Sequence, residues 1–169
     1  MPENAILIAT GTDRPGIVDE LSQFLLECGG NITDSRAINL HGQFALLLLV
    51  RGERPALDAI RAGLAALSQQ GIEARLQPAN GAAQSDAPTF PHVFVATGKD
   101  QAGVVHRISH LLRALKVNID EITTHVAGDG SFQIRLALAV PRETPVTMLR
   151  DYLSYLCVEL GIKGELKEA

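Results

Sequence analysis

The residues with the most capacity for chemistry lie in one stretch, Ala9-Thr10-Gly11-Thr12-Asp13-Arg14-Pro15-Gly16-Ile17-Val18. It joins an apolar run of strand length, Asn4–Ala9, to a run of helical period, with Gly11 and Asp13 punctuating the turn. Pro15 is expected in the first helical turn, where a missing N–H costs nothing. Gly16 leaves the backbone bare. The N–H groups of Gly16, Ile17 and Val18 are then expected to point out of a helix start, whose dipole favours a carboxylate or a phosphate. Asp13 can either pair with an ammonium group or cap the helix. One such stretch alone would be read as a well-made strand-to-helix turn with no ligand.

The stretch occurs twice. Ala96-Thr97-Gly98-Lys99-Asp100-Gln101-Ala102-Gly103-Val104-Val105 repeats it at an offset of 87, the spacing that also separates Asn31-Ile32 from Asn118-Ile119. Between Ala9 and Ile32, ten of 24 positions are identical to their partners, where unrelated segments would share about one or two. The chain is therefore a duplication. Its halves are expected at 1–77 and 92–169, with a linker over 78–91, where Ala, Asn, Gly, Gln, Ser, Asp and Pro replace any apolar period.

Composition narrows the function. The 169 residues are 46% hydrophobic and 20% charged, which suits a globular chain whose two halves each bury a modest core. A formal net charge of −4, with no segment of clustered Lys and Arg, argues against direct nucleic-acid binding. No leader is visible and no apolar run has the length of a membrane span, so a cytoplasmic location with no membrane contact is expected; the longest run, Phe44–Val50, is a buried strand.

The elements that must carry the two cradles follow the same order in each half. In the first, a strand (Ala5–Thr10), a helix (Pro15–Cys28), two strands (Asn31–Leu40 and Phe44–Arg51), a helix (Arg54–Gln70) and a strand (Ile72–Gln77) are expected. His41-Gly42 makes the pair of strands a tight hairpin. Val18, Leu21, Leu25 and Cys28 are expected to face the core from the first helix, and Leu57, Ile60, Leu64 and Leu67 from the second. The second half repeats this as His92–Thr97, Ala102–Leu115, Asn118–Ala127, Ser131–Val140, Thr144–Leu160 and Lys163–Lys167. Its hairpin turn, Gly128-Asp129-Gly130, is one residue longer. Such a βαββαβ order predicts an α+β protein of two tandem ferredoxin-like domains, each an antiparallel sheet with both helices on one face. The other face is left bare, which favours pairing with another domain or a second copy.

The Asp-x-Pro-Gly-Ile/Val turn after a first strand, followed by Asn-Ile at the start of the next strand, resembles the ACT domain. Two such units resemble the tandem-ACT regulators of the glycine cleavage system. That resemblance implies a ligand-binding set of Asp13, Arg14, Pro15, Gly16, Ile17 and Val18 at the carboxylate of a small amino acid, with Asn31 and Ile32 beside them. Asn31 can serve an ammonium and a carboxylate together, or hold a turn after Gly29-Gly30. In the second half Asp100, Gly103, Val104, Val105, Asn118 and Ile119 match, while Gln101-Ala102 lack the proline, so tighter binding is expected in the first.

The same resemblance suggests glycine or serine as ligand, and a homo-oligomer that represses a DNA-binding transcriptional activator through protein contact. The alternative is an allosteric subunit of an amino-acid metabolic enzyme. No enzyme activity and no cofactor are expected: the sequence has no nucleotide-binding Gly-rich loop, no nucleophile elbow and no paired acids on a catalytic frame. His106 and His110, one helical turn apart, are expected as exposed side chains and not as a metal pair, since their partners in the first half are Asp19 and Gln23. Val105, Ile108, Leu112 and Leu115 are expected to form the core stripe of that helix. Cys28 and Cys157 read as core residues, with no ligand spacing between them.

Overall fold

A computed structural model describes residues 1–79 and 88–169 of the chain. The chain divides into two compact units, Met1–Ala82 and Ala83–Ala169. The linker expected over 78–91 falls mostly outside the described residues.

In the first unit β1 (Glu3–Thr12), α1 (Ile17–Glu27), β2 (Asn31–Leu40), β3 (Gln43–Gly52), α2 (Arg54–Gln69) and β4 (Ile72–Pro78) follow the expected order. The sheet runs β2-β3-β1-β4 and every neighbouring pair is antiparallel. Period-two patterning explains which face is covered. Ala5, Leu7 and Ala9 of β1 and Phe44, Leu46, Leu48 and Val50 of β3 are buried with Leu21 and Leu25 of α1 and Leu57, Ile60 and Leu67 of α2. Ile8 and Leu47 stand on the opposite, uncovered face, where Leu47 is 47% exposed. At the β2–β3 turn His41 has φ 50° and Gly42 φ 75°, the two positive values of a type I′ hairpin.

The second unit repeats this with β5 (Thr89–Lys99), α3 (Val104–Ala114), β6 (Asn118–Val126), β7 (Ser131–Pro141), α4 (Val146–Leu160) and β8 (Lys163–Glu168), in sheet order β6-β7-β5-β8. Its hairpin carries the extra residue: the Gly130 N–H donates to the Ala127 carbonyl at 2.9 Å, and Gly130 has φ 77°. A bulge interrupts one edge strand of each sheet at matching places, Ile32/Asp34 in β2 and Ile119/Glu121 in β6. No described helix is long and apolar enough to cross a membrane.

Several boundaries differ from the sequence reading by two or three residues, β1 spanning Glu3–Thr12 and α4 starting at Val146 among them, and three bear on the site or on strand pairing. The first helix of each unit starts at Ile17 or Val104, so Pro15 and Ala102 lie outside it; Gly16 (φ 94°) and Gly103 (φ 89°) are left-handed N-caps that a helical start at Pro15 would not allow. The core stripes shift accordingly to Ile17, Leu21, Leu25 and to Val104, Ile108, Leu112, while Val18 is 60% exposed and Val105 also faces solvent. β5 begins at Thr89 instead of His92. Pro91 is tolerated because its N and carbonyl face the end of β8, where the carbonyl accepts the Ala169 N–H and no strand residue needs its missing donor.

Cys28 is half-buried against the first core and Cys157 is buried in the second; burial raises both thiol pKa values, as suits packing residues.

Candidate functional site

The turn between β1 and α1 is tethered by its backbone. The Asp13 N–H donates to the Gly42 carbonyl at 2.8 Å, which ties it to the β2–β3 hairpin. Gly16 turns the chain into the helix, and the Glu20 N–H donates to its carbonyl at 2.9 Å. No side chain caps α1. The N–H groups of its first turn therefore keep the partial positive charge of a helix start.

Beside this start is an open hollow of about 370 Å³. Asp13, Arg14, Gly16, Ile17 and Val18 line one side, and Ala37–Asn39 of β2 with Phe44–Leu46 of β3 the other. Polar groups collect at one end. The Asn39 amide donates to the Asp13 carboxylate, so Asp13 does not cap the helix; it joins the turn to β2. Arg14 makes a two-pronged ion pair with Glu20, both N···O distances 2.6 Å. That pairing raises the guanidinium pKa and lowers the Glu20 carboxyl pKa below its usual range.

The structure gathers only part of the predicted set. Asp13, Arg14, Gly16, Ile17 and Val18 meet at the hollow, whereas Pro15 is exposed in the turn and does not line it. Asn31 and Ile32 are not beside these residues within the unit. Asn31 pairs with Arg51 at the far end of β3, seven residues and about 23 Å along the strand from Phe44. The helix runs antiparallel to the strand that follows it, so its start lies at one end of the strands and its end, where β2 begins, at the other. Asn39 was not legible as a candidate, because only the hairpin brings the end of β2 back to the first turn.

The second unit keeps the backbone of the cradle and changes its side chains. The Asp100 N–H donates to the Gly130 carbonyl at 3.0 Å, Gly103 is the left-handed cap before Val104 and Val105, and no side chain caps α3. Gln101 stands where the first unit has Arg14, and its amide donates to the Leu160 carbonyl at the end of α4. Arg107, in the place of Glu20, pairs with Glu159. Val126 faces Phe132 as Asn39 faces Phe44, so the amide has no counterpart. Asn118 and Ile119 again lie at the far end of their strand, opposite Ala139 and Leu138. His106 and His110 are exposed, with ring centres 6.0 Å apart, and line a different groove with Tyr152 and Tyr155.

Comparison with known proteins agrees with this architecture. The ACT-domain family model matches residues 3–77. Over 167 residues the chain is 25% identical to the glycine cleavage system transcriptional repressor of Escherichia coli, covering 95% of this chain and 87% of that protein, and it matches the Shigella flexneri repressor to the same degree. Among solved structures, a protein provisionally described as a glycine cleavage system transcriptional repressor superposes with a TM-score of 0.78 at 20% identity, over 100% of this chain and 98% of that one. A protein of unknown function from Galdieria sulphuraria superposes at 0.83 with 22% identity, over 100% and 99%. The family match falls on the first unit, and the second unit repeats that unit's element order and sheet order.

Proposed function

We propose that this chain is an amino-acid-responsive regulator of the glycine cleavage system that acts by protein contact, restraining a DNA-binding transcriptional activator without itself gripping DNA. The full-length similarity to the repressor of Escherichia coli supports the regulatory role. The acidic net charge supports contact with protein over contact with nucleic acid.

The observation that carries the sensing role is the uncapped start of α1 beside Asp13, Arg14 and Asn39. A free amino acid brings a carboxylate for the helix start and the guanidinium, and an ammonium for Asp13. Glycine and serine are the ligands suggested by the resemblance to regulators of the glycine cleavage system. The hollow is open on one side, and a second copy of the chain would close it. A ligand held between two copies favours one arrangement of them, to the extent that it binds that arrangement better, and so alters the surface offered to the activator.

A thermal-shift screen of free amino acids tests this. Glycine or serine at about 100 times its dissociation constant should stabilise the native state by about 2.7 kcal/mol. A flat response to every amino acid would overturn the sensing role. The two halves should also differ, since Gln101 and Val126 replace Arg14 and Asn39. Gly16→Leu forces a side chain into left-handed backbone at the first cradle and should abolish calorimetric binding, whereas Gly103→Leu should leave most of it. Equal losses would remove the asymmetry. Affinity capture that recovers a metabolic enzyme and no transcription factor would favour a subunit of that enzyme.

A further inference from the structure

We infer that Glu20 is a built-in competitor for the ligand: its carboxylate occupies Arg14 in the free protein and must be displaced by the carboxylate of the incoming amino acid. The inference rests on the amino-acid-sensing role proposed above and concerns how that site is regulated.

The geometry behind it is local. Glu20 lies in the first turn and a half of α1, and long helical side chains lean back toward the helix start. Its Oε1 comes within 3.6 Å of where a Cβ on Gly16 would sit, so the carboxylate hangs over the N-cap. There it takes both terminal nitrogens of Arg14 at 2.6 Å. This is how a guanidinium holds a free carboxylate, and it stands next to the hollow that Arg14 lines. Glu20 itself does not line the hollow. The protein's own acid therefore binds from outside what the ligand would bind from inside.

The second unit has no such device. Gln101 has no charge for a carboxylate, and Arg107 stands in the place of Glu20. A general structural need for an ion pair across this turn would be expected in both halves. It is present only where an arginine faces the hollow.

The consequence is a raised binding threshold. Both side chains are about two-fifths exposed, so their pair is screened and displaceable, and its loss costs little. Binding then requires enough ligand to outcompete a tethered carboxylate, which sets the responsive range of the sensor at higher concentration. It also moves a proton. Arg14 is the charged partner acting on Glu20 in the free state. Asp13 and Asp19 flank the same turn, and Gln69 of α2, which precedes Glu159 by the 90 residues that separate Gly71 from Gly161, is neutral. Once displaced, the Glu20 carboxyl returns toward its ordinary range and takes up protons near pH 4.

Calorimetric titration of the full chain with glycine and with serine tests the inference. Glu20→Gln should bind about three- to fivefold more tightly than the natural protein, the range of an exposed ion pair, and Arg14→Gln more than tenfold more weakly. At pH about 4, titrations in two buffers of different ionisation heat should show proton uptake by the natural protein that Glu20→Gln lacks; a merely structural pair would give no such difference. Equal or weaker binding by Glu20→Gln, with Arg14→Gln still impaired, would overturn the competitor role and leave the sensor intact. Absence of binding to both the natural protein and Glu20→Gln would overturn the sensor as well.

Discussion

Replacing Gly11 with alanine is expected to cost the first unit about 3 kcal/mol, the upper end for a forced overlap in a packed interior. A Cβ at Gly11 would lie 2.6 Å from the Gly71 carbonyl oxygen and 2.8 Å from the Phe44 ring. The ring can turn aside. The carbonyl belongs to backbone at the start of β4, which pairs with β1 at this level, so relief requires the two strands to separate. Since a small domain has only about 5–15 kcal/mol in hand, the loss should appear as a large fall in the urea midpoint followed by circular dichroism. Gly128→Ala is the control, because nothing lies within 4 Å of its Cβ position; its effect should stay within about 0.5 kcal/mol. A Gly11→Ala midpoint equal to that of the control would show that β4 yields freely there.

Leu25→Ala and Leu112→Ala should each cost about 3 kcal/mol, but in different halves of the chain. The two leucines are partners in the repeat, both fully buried, one in each core. Truncation leaves a cavity between a helix and a sheet of the leucine's own unit, whose other side chains are already fixed. Hydrogen exchange resolves the outcome: Leu25→Ala should speed exchange in β1, β3 and β4, and Leu112→Ala in β5, β7 and β8. Uniform acceleration along the whole chain from either change would mean that the units unfold as one body.

The fold was legible because duplication and punctuation reinforce one another. Gly29-Gly30 ends one helix, His41-Gly42 turns a hairpin, and the unbroken apolar run from Phe44 to Val50 has the length of a strand, although only its burial shows that every second side chain enters the core. The start of α1 was less legible. Proline suits a first helical turn, so Pro15 drew the boundary forward, but the positive φ of Gly16 makes that residue the cap and leaves Pro15 in the turn. The same shift exchanges Ile17 for Val18 in the core and frees Val18 to line the hollow.

The candidate site divides in the same way. Asp13, Arg14 and Gly16 are contiguous in sequence and stand together in space. Asn31 stood with them in the motif yet lies at the other end of β2, because the helix carries the chain back along the strands before β2 begins. Asn39 is 26 residues from Asp13 and joins it only through the hairpin, whose exact register no local pattern near Asp13 encodes. Proximity along the chain and proximity around a βαβ crossover are different quantities, and the motif reports only the first.

The interruption at Ile32/Asp34, repeated at Ile119/Glu121, bears on how copies of this protein can stick together. β2 and β6 each form one outer ribbon of their sheet, opposite β4 and β8, and almost all of their side chains face solvent. A smooth rim of that length would invite strand after strand to join it, the geometry by which fibrils grow. The extra residue bends the rim and breaks its donor and acceptor spacing a few positions from one end. An added ribbon can match only the remainder, where Asp34 and Arg36 face it in the first unit and Glu121 in the second. The protein thereby keeps this one rim of each sheet short and charged, which disfavours the addition of a ribbon there.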